Sequence, residues 1–322
     1  MLLVAVHTPG FEAGWGTTTR VLTLLPSATV AELFDGTAMP PPSDSRGVLP
    51  LFAEHLLRFA RDGGTDPPAR LVDLLGQRLE HVSSEGRRAL QVVAVLGEPV
   101  RAEDIEPLLD DKTTVGPVLA KLAQRGLITL DESGAAQVAH PLLREVVMAM
   151  IPVAARHDLH AAAQQRAQRK GHPTEVQALY AALAGDSFQA LLLLDHVAAQ
   201  AHRRGDSEGS TLALRRALEV ARQELFRGEL DDPAEAVVLF SIKLADALCQ
   251  QGNFTDADGV LREALDLATP SGVDRAKVLR GLAQVARGRS REGEAVGYLR
   301  KAIEIAHRTG ERELARSLES LR

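Results

Sequence analysis

Apolar residues in this chain fall mostly at helical spacing. In PARLVDLLGQRLEHV, Leu71, Leu74, Leu75 and Leu79 share one helix face. Ser83, Ser84 and Glu85 supply capping chemistry for a second helix, RRALQVVAVLG, which should stop at Gly97. A short helix is predicted over 102–109 and another over 114–125, where Val115, Val118, Leu119 and Leu122 align before Gly126. LITL then reads as a strand, the turn Asp131, Glu132, Ser133, Gly134 follows, and AQVAH reads as its partner. The first 64 residues differ. Leu2 to Val6 is an unbroken apolar run closed by Pro9 and Gly10, as in a buried strand. A second strand-like run spans 21–25, a short helix 29–34, and a helix from about Leu51 ends near Asp62. Residues 35–47 are dense in Pro, Gly, Ser and Asp and are predicted as loop.

From residue 151 onward the pattern is helical throughout and repeats. LRRALEVA (214–221), LREALDLA (261–268) and LRKAIEIA (299–306) are offset by 47 and 38 residues. Ala245, Gly252 and Ala257 occupy one repeat, and Ala283 and Ala295 the same offsets in the next. Ala198, Gly205 and Ser210 fill them in the first. Small residues at such offsets let the two helices of a hairpin approach closely, and a period of this size indicates a solenoid. The pattern resembles the tetratricopeptide repeat, with the excess over its usual period placed in links such as residues 226–235. The order of three helices and a strand pair over 65–150 resembles a winged-helix domain.

Composition narrows the function classes. Aromatic residues make up only 3% of the 322, and a single cysteine, Cys249, leaves no internal disulfide. A reducing, cytoplasmic setting is expected. The net charge is −6. Four basic residues face six acidic ones over 1–64, nine face 13 over 65–150, and 24 face 24 over 151–322. No segment is basic, so broad phosphate-directed nucleic-acid binding is not expected. Lys112, Lys121, Gln124 and Arg125 could touch phosphates, but Glu103, Asp104 and Glu106 crowd the preceding helix, and DNA is not expected as a partner. No apolar stretch reaches the length of a membrane span. His157 and His160 sit three apart around Asp158, but without a third ligand cluster they read as a solvated helix face rather than a metal site. Asp110, Asp111, Asp231 and Asp232 read as solvated or helix-capping groups, and Cys249 as a partly buried packing residue. No nucleophile, histidine and acid arrangement stands out.

Taken in order, PLFAEHLLRF (50–59), LVDLLGQRLEHVSSEGRRALQVVAVLGEP (71–99), HPLLREVV (140–147) and the helical repeats resemble the C-terminal part of a STAND-type, AAA-like regulatory ATPase. Such ATPases occur in bacterial transcription regulators and beside protein kinase domains. The resemblance implies a mainly α chain. It comprises a truncated α/β remnant of the nucleotide-binding domain (1–64), a winged-helix domain (65–150) and a tetratricopeptide-like solenoid (151–322). It also implies nucleotide contacts at Pro50, whose counterpart packs on adenine, and at His140, whose counterpart can touch a phosphate of ADP. The alternative for His140 is a helix cap.

The chain departs from the family in several places. It has no G-x-x-x-x-G-K-[ST] phosphate loop, which the resemblance would place upstream of Met1. Thr8 stands where an arginine is expected, Gly47 lies one residue too far from Pro50 and Phe52, and 35–47 is too short for the usual helical lid. The expectation is therefore a non-catalytic regulatory or scaffold module with no cofactor of its own. It would bind a protein partner or inducer on the repeats, with Lys243 and Arg280 as contacts. The alternatives are one part of a longer ATP-hydrolysing or kinase-linked switch that binds ATP or ADP, and a winged-helix DNA-binding regulator.

Overall fold

A computed structural model describes residues 24–37, 39–42, 47–64, 70–109, 114–228, 230–269 and 272–321. The strand expected over 2–6, its glycine-rich turn and Thr8 lie outside the described residues, as do Asp110 and Asp111. The chain is mainly helical. Its first described elements are α1 (Ser27–Leu33) and α2 (Pro50–Arg61). Leu25 and Val48 form an antiparallel bridge that brings the two helices together. Val30, Phe34, Val48, Leu56 and Phe59 bury a small core there, which Leu74 of α3 (Leu71–Glu80) completes.

The next elements are α4 (Ser84–Leu96), α5 (Ala102–Ile105) with a 3₁₀ turn (Glu106–Leu108), α6 (Val115–Gln124), β1 (Ile128–Leu130), β2 (Ala136–Val138) and α7 (Pro141–Met150). Local chemistry sets their ends. The Ser83 hydroxyl accepts the Gly86 amide and starts α4. Gly97 ends it at φ +68, a conformation that disfavours a Cβ. β1 and β2 pair antiparallel, with Thr129 opposite Gln137, and Val100 bridges to Ala136 at their edge.

The remaining helices pack as successive antiparallel neighbours: α8 (Val153–Arg169), α9 (Thr174–Ala184), α10 (Ser187–Arg203), α11 (Ser207–Arg227), α12 (Pro233–Gln250), α13 (Phe254–Leu267), α14 (Val273–Gly288), α15 (Glu292–Thr309) and α16 (Arg312–Ser320). The small residues picked out by spacing lie at these interfaces. Ala198, Ser210, Ala245, Ala257, Ala283 and Ala295 are all buried. The three matching octapeptides fall on α11, α13 and α15, the second helix of each hairpin. Two of the hairpin turns carry a side-chain cap, Asp206 accepting the Gly209 amide and Asn253 that of Asp256, and in the link between hairpins Asp232 accepts the Glu235 amide.

Two large apolar clusters divide the molecule. One runs from α9 through α16. The other is built on α3 to α7 but also takes Ala163 and Ala167 of α8 and Tyr180 of α9. The solvated face expected for His157 and His160 is corrected here. His160 is 3% exposed, with its ring centroid 6.2 Å from that of Tyr180. The face of α8 that carries it is turned inward, because α8 is sandwiched between α4 and α9.

Candidate functional site

The residues picked out by sequence fall in two places. Pro50 and His140 belong to the α2, α3, α6 and α7 region. Pro50 is the first residue of α2, where a missing N–H costs nothing. His140 precedes α7, and its Nδ1 accepts the Leu142 amide at 3.1 Å, so it caps that helix. Nearby, Arg78 is buried at 3% exposure. One Nη of Arg78 meets His55 Nδ1 at 2.5 Å, the other donates to the Arg125 carbonyl, and its Nε lies 3.8 Å from Asp62. Arg125 donates to the His81 carbonyl at 2.7 Å, and Arg58 to Glu54 at 2.7 Å. The Arg58 guanidinium also occupies the space that a Cβ on Gly126 would need. Burial, together with the charges of Arg78, Arg58 and His140, holds His55 down to about 4, so its ring is neutral near pH 7. The cationic groups here are committed to protein partners and tie α2 to the end of α6.

A second network joins α4 and α5 to α8. Arg166 donates to Glu98 at 2.9 Å and to Asp104 at 3.2 Å, and Lys170 also reaches Asp104. Burial works to raise the Asp104 pKa, but the hydrogen bonds from Lys170 and Arg166 outweigh it and hold the carboxyl below its usual range. The Tyr180 hydroxyl donates to the Leu96 carbonyl at 2.9 Å. Sequence reasoning did not find this network. Its partners lie 62 and 68 residues apart, and no local pattern marks such a pairing.

Lys243 and Arg280 sit on the first helices of their hairpins. Lys243 Nζ reaches Asp195 of α10 at 2.6 Å and lies 5.6 Å from the Phe240 ring centroid. Arg280 of α14 lies 3.6 Å from Asp246 of α12. These contacts form a ladder across α10, α12 and α14. A separate ladder links the second helices: Arg215 to Asp256 at 2.7 Å, and Arg222 to Glu263 through two parallel bonds. The first-helix face therefore bears Lys243 and Arg280 together, away from the second-helix face. An open cleft of about 420 Å³ lies on this side, lined by Asp246 and Gln250 of α12, Arg280, Gln284 and Arg287 of α14, and Leu321. Burial pushes the Asp246 carboxyl up from its ordinary value, and the nearby Arg280 opposes this. Burial and the neighbouring Asp246 likewise push up the thiol of half-buried Cys249.

Among the described residues, no group of three or more His, Cys, Asp or Glu side chains is placed to hold a metal ion. None of the described helices is long and apolar enough to cross a membrane.

The tetratricopeptide repeat family model matches residues 235–308, the stretch from α12 through nearly all of α15. Helical repeats of this type make up that part of the chain. Among solved structures, the chain is similar to a signal transduction ATPase with numerous domains that carries a tetratricopeptide repeat sensor, from Pyrococcus horikoshii. The two are 19% identical with a TM-score of 0.47, over 81% of this chain and 37% of that one. The chain thus spans little more than a third of that structure's length. No curated protein matches.

Proposed function

We propose that this chain is a regulatory, non-catalytic module that binds a protein partner or inducer through its helical repeats. The observation that carries the reading is the tetratricopeptide match over 235–308, on helices whose first-helix face bears a continuous side-chain ladder and an open cleft. Stacked hairpins build an extended recognition surface without a specialised pocket. Lys243 and Arg280 are partner contacts in this reading.

The order α4, α5, α6, then antiparallel β1 and β2, supports a winged-helix reading for 65–150. We assign that unit a joint's role. It shares its apolar core with α8 and α9 and is bolted to them through Arg166. In the same reading, residues 1–64 are the remnant of a nucleotide-binding domain. Pro50 and His140 would touch ATP or ADP only in a longer protein that supplies a phosphate loop. Within this chain His140 acts as a helix cap and the neighbouring arginines hold protein groups. Their commitment to protein groups supports a reading in which this chain alone holds no nucleotide.

Two measurements on the full chain test the proposal. Titration with magnesium ADP in a calorimeter should give no binding heat, and saturable heat would overturn the non-nucleotide reading. Panning the chain against a displayed random-peptide library should enrich binders that slow amide exchange in α10, α12 and α14. Failure to enrich any peptide, or protection confined to other helices, would overturn the partner-binding reading.

A further inference from the structure

Two phenylalanines stand in water at one end of the molecule. Phe226 of α11 is 91% exposed and Phe188 of α10 is 69% exposed, while every other phenylalanine among the described residues is buried or half-buried. Helical geometry puts them there. α11 buries the side that carries Ala217, Ala221 and Glu224. Two residues rotate an α-helix by about 200°, so Phe226 points away from that side. Gly228 then ends the helix at φ +73, which leaves the ring on its last turn. Phe188 follows Ser187, the first residue of α10, whose hydroxyl donates to the buried Glu224 carboxylate at 2.7 Å. That bond seats the start of α10 on the last turns of α11, so both rings lie at the same end of the two helices. Leu225 and, across the α9–α10 turn, Leu183 are exposed at this end too. The two rings alone present on the order of 300 Å² of apolar surface. Apolar patches of a few hundred Å² are the largest that a typical monomer shows, and they often serve binding.

The rim of this patch is acidic. The link from α11 to α12 brings Asp231, Asp232 and Glu235, all exposed. Over residues 179–192 and 225–239, Arg227 is the only Lys or Arg in the sequence. A second copy of the chain would set these carboxylates against their own counterparts, since a two-fold contact joins a surface to itself. An anionic lipid surface meets the same repulsion. We propose that this end of the molecule is a docking site for a partner-protein segment that combines Lys or Arg with Leu, Ile or Phe. The apolar side chains of the segment pack on Phe188, Phe226 and the two leucines. Its cations pair with Asp231 and Glu235 and lie over the ring faces, whose quadrupole attracts them. The apolar part of the site, at the ends of α9, α10 and α11, precedes the tetratricopeptide match over 235–308. It is separate from the first-helix face that carries the partner-binding reading above.

The probe is a fluorescein-labelled peptide of about 14 residues, four helical turns with Leu on one face and Lys on the other. Fluorescence anisotropy reads its binding to the full chain. It should bind, and its affinity should fall about tenfold on the double variant Phe188→Ser, Phe226→Ser. The double variant Asp231→Asn, Glu235→Gln should weaken it about threefold at low salt, and by less at about 0.5 M salt. Thermal midpoints should hold in both double variants, because all four side chains are exposed. Affinity should stay within about twofold on Leu239→Ser, an exposed position of the first-helix face. A tenfold loss there instead would place the peptide on that face and overturn the proposal. Absence of binding, or undiminished affinity on the phenylalanine variant, would overturn it as well. So would equal affinity for the same peptide with Glu in place of Lys. Dimerisation of the parent that disappears in the phenylalanine variant would assign the patch to a second copy and overturn the proposal. None of these outcomes bears on the first-helix reading, which the library panning tests.

Discussion

Two buried histidines dominate the pH response at the residue scale. His55 and His160 are each 3% exposed and each held down to about 4. For His160 the causes are burial first, then the charges of Arg156, His157 and Arg144. Both rings are neutral in the folded chain and take up a proton at about pH 6.5 when unfolded. Between these values the unfolded state binds more protons, so stability rises with pH. It is fully present above about pH 6.5 and is lost as the pH falls toward 4. Each ring contributes up to about 1.4 kcal/mol per pH unit within that window. Urea midpoints measured at pH 7 and pH 5 should differ clearly. His160→Leu should flatten the dependence, and an unchanged slope would refute the assignment. His140 acts through geometry instead. His140→Ala removes the acceptor for the Leu142 amide and should cost about 1 kcal/mol in denaturant unfolding.

Close approach decides the outcome at the scale of the helix pair. Gly281 on α14 is buried, and a Cβ there would come within 3.0 Å of Leu261 Cδ1 on α13. Gly281→Val should therefore destabilise by about 1–3 kcal/mol through overpacking. Gly259 on α13 and Gly297 on α15 also lie inside helices, yet nothing stands within 4 Å of a Cβ added at either. Ala at either position should stabilise by up to about 1 kcal/mol, because glycine is the poorer helix former. Thermal midpoints of the three variants should separate in opposite directions. The repeat elements were legible because each hairpin needs a small residue where its helices touch, and that demand recurs at a fixed offset. Ala245 with Ala257 and Ala283 with Ala295 show it. Which glycine tolerates a methyl group is not legible, because it depends on the neighbouring helix.

At the scale of the whole molecule, Arg166 is the strut between the α4 and α5 region and the helices that follow. Its side chain is 8% exposed and holds both Glu98 and Asp104. Arg166→Ala should lower the denaturation midpoint by about 2 kcal/mol equivalent, the loss expected for hydrogen bonds to charged groups. It should also broaden the calorimetric transition, as the two apolar clusters come to melt less together. A transition of unchanged midpoint and width would show that the strut carries no coupling. By sequence, Asp104 counted only as one of several acids disfavouring DNA, and the structure gives it a second role as an anchor. Lys243 and Arg280 lie on first helices, and their partners Asp195 and Asp246 were not legible in the sequence.

The sequence by itself determined the mainly helical pattern and its repetition. Those depend on contacts within a few residues: apolar spacing, capping side chains at Ser83, Asp232 and Asn253, and glycines at turns. Only the tertiary structure decided which polar groups are consumed and which remain available. His160 turned inward, His140 became a cap, Lys243 paired with Asp195, and Arg280 paired with Asp246. The physical reason is that hydrogen bonding and desolvation are settled between residues dozens of positions apart, where no periodicity along the chain records them.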